Sequence, residues 1–168
     1  VLQAMPAFKE DTKVLVLYGD VPLTSLSTLE GLIQEPSSLT ILTAELDNPM
    51  GYGRIIREIN GDNVLGIVEQ KDANQDQLAI TEINTGILLA DASLLRQLLP
   101  LISNQNAQEE YYLTDLVALS VQQGGTVGAS VCQNITEVEG VNSKVHLAAL
   151  ERAFQLQQAN DLMVAGAT

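Results

Sequence analysis

A carboxylate directly after a buried strand is the first feature of this sequence that could do chemistry. Asp20 closes the apolar run 13–18, and Gly19 precedes it. In open parallel sheets ligands bind beyond the carboxyl ends of the strands, where a carboxylate oxygen is a hard ligand suited to Mg²⁺. Gly19 would let a ligand come close to the backbone. A turn aspartate that accepts hydrogen bonds from local N–H groups is the alternative interpretation.

Two further candidate positions flank a predicted hairpin. The segment Gly51-Tyr52-Gly53-Arg54 comes just before a strand, and its two glycines would let the backbone lie against a flat or bulky ligand. Glu69, with Lys71 two residues later, places a carboxylate and a cation at the end of another strand. An ordinary turn and a solvated charged turn are the alternative interpretations of these two segments.

Two asparagines are candidates for binding through their side-chain amides. Asn84 interrupts an otherwise apolar strand, and a buried amide there must find hydrogen-bond partners, either in the protein or in a ligand. Asn142 comes before a long helix and could cap it, or its carbonyl oxygen could reach a metal. His146 on that helix is interpreted as a surface or hydrogen-bonded histidine, and Cys132 as a buried strand thiol rather than a nucleophile.

The elements that would position these residues alternate between strands and helices. A helix through Leu26 and Ile33, with Thr24, Ser25 or Ser27 as its cap, ends before Pro36 and joins two buried strands. This order predicts a parallel sheet with a right-handed crossover. The predicted strands are 13–18, 39–46, 53–59, 63–69, 80–89 and 126–132, and the turn of the hairpin is Asn60-Gly61-Asp62. The other predicted helices are 94–99, one from Thr114-Asp115 through Val121, and one from Ser143 to about Met163 whose apolar face contains Leu147, Leu150 and Phe154. We therefore predict one α/β domain.

Composition excludes several classes of function. The chain has 21 acidic against 8 basic residues and a formal net charge of −13, which argues against a nucleic-acid surface or binding to anionic membranes. A single cysteine gives no internal disulfide and suits a reducing cytoplasm. No apolar run approaches the ~20 residues of a membrane span, so no membrane insertion is expected. The sequence also has no phosphate-binding GxxxxGK[ST] or GxGxxG motif, no zinc-ligand spacing and no nucleophile elbow.

Six short motifs occur in an order and spacing that identify a family. They closely resemble the uridylyltransferase domain of the bacterial bifunctional N-acetylglucosamine-1-phosphate uridylyltransferases/glucosamine-1-phosphate acetyltransferases, which form UDP-N-acetylglucosamine. The resemblance covers nearly the whole chain. The motifs are Leu17-Tyr18-Gly19-Asp20-Val21-Pro22, Gly51-Tyr52-Gly53-Arg54, Ile67-Val68-Glu69-Gln70-Lys71-Asp72, Glu82-Ile83-Asn84-Thr85-Gly86-Ile87, Glu110-Tyr111-Tyr112-Leu113-Thr114-Asp115 and Glu137-Val138-Glu139-Gly140-Val141-Asn142.

The resemblance implies a Rossmann-like nucleotide-diphospho-sugar transferase fold and uridylyl transfer from UTP to N-acetylglucosamine 1-phosphate, with release of pyrophosphate. In the family this reaction feeds cell-wall and lipopolysaccharide synthesis and so cell shape. Carried over by position, Asp20 and Asn142 would bind Mg²⁺, with Asp20 as the catalytic residue. Tyr18 and Gly19 would line the nucleotide-sugar site with Asp20, and Asn142 would also touch the product. Gly53, Glu69 and Asn84 would contact the N-acetylglucosamine part.

The resemblance also predicts what the chain should lack. The family's domain begins with a strand and a glycine-rich loop of the LxxGxGTxM type, followed by a phosphate-binding Lys and a uracil-reading segment, and none of these is in the sequence. We therefore expect residues 1–168 to be a single partial uridylyltransferase domain, truncated at its N-terminal strands. The left-handed β-helix that carries acetyl transfer and forms the family's homotrimer should likewise be absent. A nucleotidyltransferase for another sugar phosphate and a non-catalytic sugar-nucleotide-binding fragment are the alternative functions.

Overall fold

A mixed β-sheet with helices on both faces forms the centre of the molecule. The computed structural model describes residues 1–59 and 61–167, and the strands within them form one six-stranded sheet. The strands are β1 (Lys13–Val16), β2 (Leu39–Glu45), β3 (Arg54–Arg57), β4 (Val64–Val68), β5 (Glu82–Asp91) and β6 (Val127–Cys132). The helices are α1 (Leu26–Gln34), α2 (Gln75–Leu78), α3 (Ala92–Leu98), α4 (Asp115–Gln122) and α5 (Lys144–Val164), with 3-10 turns at Leu2–Ala7, Leu99–Leu101 and Ile135–Val138.

The order of the strands corrects one part of the prediction. The sheet runs β4-β3-β5-β2-β6, β1 pairs with β5, and β5 is antiparallel to β1, β2 and β3. β1 and β2 therefore point the same way, as the strand–helix–strand pattern predicted, but they are not neighbours. The predicted parallel sheet is wrong, because among the described strands only β2 and β6 pair in parallel and the other pairs are antiparallel. The crossover pattern sets relative direction and does not say which strand lies between β1 and β2. β5 lies between them, and its continuous apolar run 87–90 is consistent with a central strand, since all four residues are buried.

β5 is long enough to pair with two strands placed end to end along one side. Its C-terminal half pairs with β1, where Val16 is opposite Leu88, and its N-terminal end pairs with β3, where Arg54 is opposite Ile83. On the other side β2 follows β5 with a break in register. A gap between β1 and β3 therefore lies beside residues 84–87 of β5.

The core has two layers, one on each face of the sheet, as expected of an α/β domain. Alternate residues of β2 point to opposite faces: Leu39 and Ile41 belong to one cluster, and Leu42 and Ala44 to the other. The first cluster packs against α3 and α4 through Leu95, Leu98, Leu116 and Val117, and the second packs against α1 and the turn Ile135–Val138 through Leu32 and Val138.

Two helices begin at predicted capping residues, but the packing of one of them differs from the prediction. Ser25 caps α1 by accepting a hydrogen bond from the Thr28 N–H, and Ser143 caps α5 by accepting one from the His146 N–H. The predicted apolar face of α5 is only partly buried. Leu150 is buried, whereas Leu147 and Phe154 are 52% and 47% exposed.

The predicted hairpin is present between β3 and β4, which pair antiparallel with Ile55 opposite Ile67. The Glu58 N–H donates to the Asn63 carbonyl at 2.9 Å near its tip, while Asn60 of the predicted turn lies outside the described residues. The described part of the chain contains no helix with the length and apolar character needed to cross a bilayer.

Candidate functional site

A cavity of about 380 Å³ lies where the gap between β1 and β3 meets the end of β4. Its size falls in the usual range for small-molecule sites. Four of the predicted substrate-binding residues, which lie far apart in sequence, line it together: Tyr18, Gly53, Glu69 and Asn84. The rest of the lining consists of Gly51, Tyr52, Thr85, Gly86, Tyr111, Tyr112, Leu113 and Thr114.

A bulge in the sheet shapes the wall of the cavity. Ile41 of β2 pairs with Leu88 and Thr43 pairs with Asn84, so residues 85–87 of β5 face only Leu42. The Thr85 hydroxyl fills the irregular space by donating to the Leu42 carbonyl at 2.8 Å. Bulges of this kind re-aim side chains and are frequent beside active sites.

Asn84 and Gly53 are joined through the backbone at the rim of this bulge. The Asn84 N–H donates to the Gly53 carbonyl at 2.9 Å. The Asn84 side chain accepts from the Gly86 N–H at 3.1 Å, so the amide oxygen is oriented by its own strand. The polar residue that interrupts an apolar strand thus helps to form the irregular backbone of the site.

Glu69 lies directly against Gly53. A Cβ atom at Gly53 would come within 3.2 Å and 3.3 Å of the two Glu69 carboxylate oxygens and within 3.0 Å of Ile67 Cγ2, so a side chain there would push the carboxylate away. The Thr114 hydroxyl fixes the other side of Glu69 by donating to Oε1 at 3.0 Å. Although Thr114 stands at the N-cap of α4, its side chain makes no capping bond.

Tyr18 lines the cavity and lies two residues before Asp20 in the chain. Its ring lies over Gly86, which has a φ of +86°. Burial, followed by repulsion from the Glu69 and Asp20 carboxylates, raises the pKa of the Tyr18 phenol. The hydroxyl therefore stays protonated at neutral pH and can donate a hydrogen bond.

The Gly51–Gly53 turn is held by a buried guanidinium. Arg54 is 2% exposed and donates to the Tyr52 carbonyl and, at 2.8 Å, to Gln70 Oε1. The same Gln70 oxygen accepts from the Gly51 N–H at 3.1 Å. Arg54 and Gln70 thus fix the backbone of this wall.

Asp20 contacts Val141, the residue before Asn142, and both Asp20 and Asn142 lie outside the lining of this cavity. The Val141 N–H donates to the Asp20 carbonyl at 2.8 Å, which brings together two residues 121 positions apart in the chain. Both side chains are exposed. A carboxylate and an amide oxygen are hard donors of the type that Mg²⁺ takes, with water or substrate completing its shell. Within residues 1–59 and 61–167, no three His, Cys, Asp or Glu side chains cluster closely enough to hold a metal on their own.

Comparison with known proteins shows what the chain is related to. No protein-family model matches the chain. Over its whole length, however, it is 53% identical to the bifunctional protein GlmU of Marinobacter nauticus, and it spans 37% of that protein. The chain is a homologue of part of GlmU. The family resemblance predicted from the six motifs is confirmed.

A solved structure supports the fold independently. A crystal structure from Bacillus anthracis, described as a glucose-1-phosphate thymidylyltransferase in complex with a sucrose, superposes with a TM-score of 0.60 at 16% identity. The superposition covers 90% of this chain and 57% of the other. The predicted nucleotide-diphospho-sugar transferase fold is therefore confirmed for this GlmU homologue.

Sequence reasoning missed several residues that the fold adds to the site. It assigned no role to Thr114, Gly86 or the two tyrosines 111 and 112, all of which line the cavity. The signal was present, because all four belong to the motifs shared with the family. The hydrogen bond from Thr114 to Glu69 could not be inferred, since it depends on how α4 meets the end of β4.

The interpretations of Cys132 and His146 agree with the structure. Cys132 is buried and donates its S–H to the Asn134 carbonyl at 3.2 Å, and burial raises the pKa of its thiol. A buried thiol of raised pKa is a poor nucleophile. His146 is exposed in the first turn of α5.

Proposed function

We propose that this GlmU homologue is the central to C-terminal part of a domain that transfers a uridylyl group from UTP to N-acetylglucosamine 1-phosphate. The products would be UDP-N-acetylglucosamine and pyrophosphate. The identity to GlmU over the whole chain and the sugar-nucleotidyltransferase fold support nucleotidyl transfer to a sugar phosphate. The choice of substrates follows from the motifs shared with the uridylyltransferase family.

One observation carries the proposal: the three predicted sugar-contacting residues, Gly53, Glu69 and Asn84, line a single cavity of about 380 Å³ together with Tyr18, and the four come from four separate motifs. Glu69 would accept hydrogen bonds from sugar hydroxyls, and the Asn84 side-chain amide would bond to the hydroxyls or the N-acetyl group. Gly53 would let the sugar reach the backbone amide, since a side chain there would displace the Glu69 carboxylate. Together these residues would form a polar site that can orient an uncharged sugar ring.

The nucleotide side of the site would begin at Tyr18 and continue through Gly19 to the Asp20–Asn142 pair. A Cβ atom at Gly19 would meet no described protein atom within 4 Å. The packing of the described residues does not require a glycine here, so the space above it is available for a ligand. Asp20 and Asn142 would hold Mg²⁺, which when bound neutralises the charge on the phosphates.

The reaction needs positioning rather than a protein nucleophile. A phosphate oxygen of N-acetylglucosamine 1-phosphate forms a bond to the α-phosphorus of UTP as the bond from that phosphorus to pyrophosphate breaks. The residues of the cavity would hold the sugar phosphate in line for this attack, and such orientation supplies a large part of the rate enhancement. The absence of a Ser/His/Asp arrangement in the sequence is consistent with this chemistry.

The remaining family properties stay proposals. We propose that residues 1–168 are a single partial domain and that the intact protein works in the cytoplasm in cell-wall precursor synthesis, as a homotrimer. The specific alternative is transfer from a different nucleotide to a different sugar phosphate, because the Bacillus anthracis structure of the same fold is described as a glucose-1-phosphate thymidylyltransferase.

The test uses the full-length protein that contains this chain and measures pyrophosphate release. With Mg²⁺, UTP and N-acetylglucosamine 1-phosphate we expect turnover, and with dTTP or glucose 1-phosphate much less. Asp20→Asn keeps the size of the side chain but removes its charge, and we expect it to lower kcat by about 10²–10³-fold, as for other groups that stabilise charge at the reacting centre.

Asp47→Asn is the matched control, since Asp47 is exposed in the loop after β2 and does not line the cavity. Its kcat should equal that of the wild type. Near-normal turnover by Asp20→Asn at saturating Mg²⁺ would contradict the role of Asp20. Binding of UDP-N-acetylglucosamine without any pyrophosphate release would instead favour a non-catalytic binding protein.

A further inference from the structure

Glu137 joins the two segments that carry Asp20 and Asn142. It lies in the turn Ile135–Val138, and its Oε2 atom accepts hydrogen bonds from the Ser25 N–H at 3.0 Å and from the Thr28 hydroxyl at 2.6 Å. Its backbone carbonyl accepts a further bond from the Thr24 hydroxyl at 2.9 Å. All three donors lie at the start of α1, shortly after Asp20.

These bonds form a closed loop with the contact already described. Along one segment the chain runs from Asp20 to Ser25, and along the other from Glu137 to Asn142. The Val141 N–H to Asp20 carbonyl bond closes one end of the loop, and the bonds of Glu137 close the other. The two segments can therefore shift relative to each other only if one set of bonds breaks.

The charge of Glu137 suits this place. Burial disfavours its ionised form, but the hydrogen bonds from Thr28 and Ser25 outweigh that effect and lower the pKa of the carboxyl. The carboxylate also lies at the N-terminus of α1, where the helix dipole favours a negative charge. Glu137 thus occupies the Ser25 N–H and the Thr28 hydroxyl, so these two donors at the start of the helix bind the protein's own carboxylate.

We propose that Glu137 is a positioning residue that fixes the distance between Asp20 and Asn142. The inference rests on the proposed function, because it assigns those two residues to one binding site. If Glu137 only stabilised α1, its removal would leave the contact between the two segments intact. If Glu137 is a positioning residue, its removal must change that contact and the metal binding that depends on it.

The first measurement follows the Val141 N–H to Asp20 carbonyl bond directly and needs no substrate. Hydrogen exchange at the Val141 amide is followed in the full-length protein, in wild type and in the Glu137→Ala, Glu137→Gln and Glu139→Ala variants. We expect exchange about tenfold faster in Glu137→Ala, an intermediate rate in Glu137→Gln, which keeps one acceptor oxygen, and the wild-type rate in Glu139→Ala. Glu139 is exposed in the same segment and serves as the control for lost charge.

The second measurement is the affinity of the site for Mn²⁺, which is used as a probe for the Mg²⁺ position. Binding is followed by electron paramagnetic resonance in the presence of UDP-N-acetylglucosamine. We expect Glu137→Ala to weaken Mn²⁺ binding about tenfold, with Asp20→Asn weaker still. In turnover, the KM for UTP should rise while the KM for N-acetylglucosamine 1-phosphate stays unchanged. If Glu137→Ala does not fold, Glu137→Gln provides the same comparison.

The outcomes separate the two proposals. Unchanged exchange at Val141, or faster exchange with unchanged Mn²⁺ affinity and unchanged KM for UTP, would overturn the positioning role of Glu137. If Asp20→Asn leaves Mn²⁺ binding as it is, the metal assignment in the proposed function fails, and the positioning role fails with it. If Asp20→Asn weakens Mn²⁺ binding but Glu137→Ala does not, the positioning role alone fails.

Discussion

The ring of Tyr18 occupies the place that a Cβ atom would take on Gly86. Such an atom would lie 2.3 Å from Tyr18 Cε2 and 2.8 Å from Cζ, and Gly86 has a φ of +86° that L side chains rarely adopt. The two residues belong to different motifs, one after β1 and one inside β5. Their contact holds the segment after β1 against the bulge and so joins the proposed nucleotide side of the candidate site to the proposed sugar side.

Gly86→Ala should therefore destabilise the protein. The left-handed backbone and the overlap with the Tyr18 ring together should cost on the order of 2 kcal/mol in the free energy of unfolding. Urea denaturation measures this cost. Gly19→Ala is the matched control, because a Cβ there would meet no described protein atom within 4 Å. It should unfold like the wild type yet raise the KM for UTP, whereas equal stability of both variants would contradict the packing role of Gly86.

The hydrogen bond from Thr114 to Glu69 should strengthen the binding of the sugar phosphate and leave the binding of the nucleotide unchanged. Thr114→Val keeps the shape of the side chain and removes the donor to Glu69 Oε1. We expect a loss of about 1 kcal/mol of binding, and so a severalfold rise in the KM for N-acetylglucosamine 1-phosphate with the KM for UTP unchanged.

A double-mutant cycle with Glu69→Gln tests whether Thr114 acts through this carboxylate. The two effects should be non-additive, since the residues share one hydrogen bond. Thr126→Val, at an exposed position before β6, is the control and should leave both KM values unchanged. Strictly additive effects of Thr114→Val and Glu69→Gln would show that Thr114 does not orient the carboxylate.

The sequence indicated which residues line the cavity better than it predicted the order of the strands. Glu69 and Asn84 could be chosen because a polar residue at the end of an apolar strand, or inside one, is unusual, and Tyr18 could be chosen because its motif matches a family. The position of β5 between β1 and β2 could not be predicted, because local patterns report burial and direction but not which strands become neighbours. The same limit hid Thr114 and Glu137, whose roles arise only from contacts between segments distant in sequence.

The turn before β3 should depend on Gln70. Gln70→Ala removes the acceptor of a bond from Arg54, which is 2% exposed, and so leaves a buried guanidinium N–H without its partner. An unsatisfied buried donor costs about 1–3 kcal/mol, which thermal or urea unfolding would detect. Gln122→Ala, at an exposed position on α4, is the control for loss of a glutamine side chain and should unfold like the wild type. Equal stability of the two variants would show that Gln70 does not support the turn.

The ion pair between Arg57 and Glu82 should make stability depend on pH in acid. Two hydrogen bonds of 2.7 Å join the guanidinium to the Glu82 carboxylate, whose side chain is 10% exposed. Burial opposes ionisation of Glu82, but hydrogen bonding, above all from Arg57, and the charge of Arg57 together outweigh it and lower the pKa of the carboxyl below its ordinary value. The unfolded chain, with a glutamate pKa of about 4.3, therefore binds more protons than the folded protein in the pH range just below that value.

The stabilisation should be fully present above about pH 4.3 and lost as the pH falls through the pKa of the folded state. Glu82→Gln should be less stable than wild type by about 1–2 kcal/mol at pH 7, and the difference in the free energy of unfolding should shrink in acid. Glu30→Gln, which removes an exposed charge on α1, controls for the change in net charge. A difference between wild type and Glu82→Gln that stays constant from pH 7 to pH 3 would mean that Glu82 stabilises the fold by packing and not as the charged partner of Arg57.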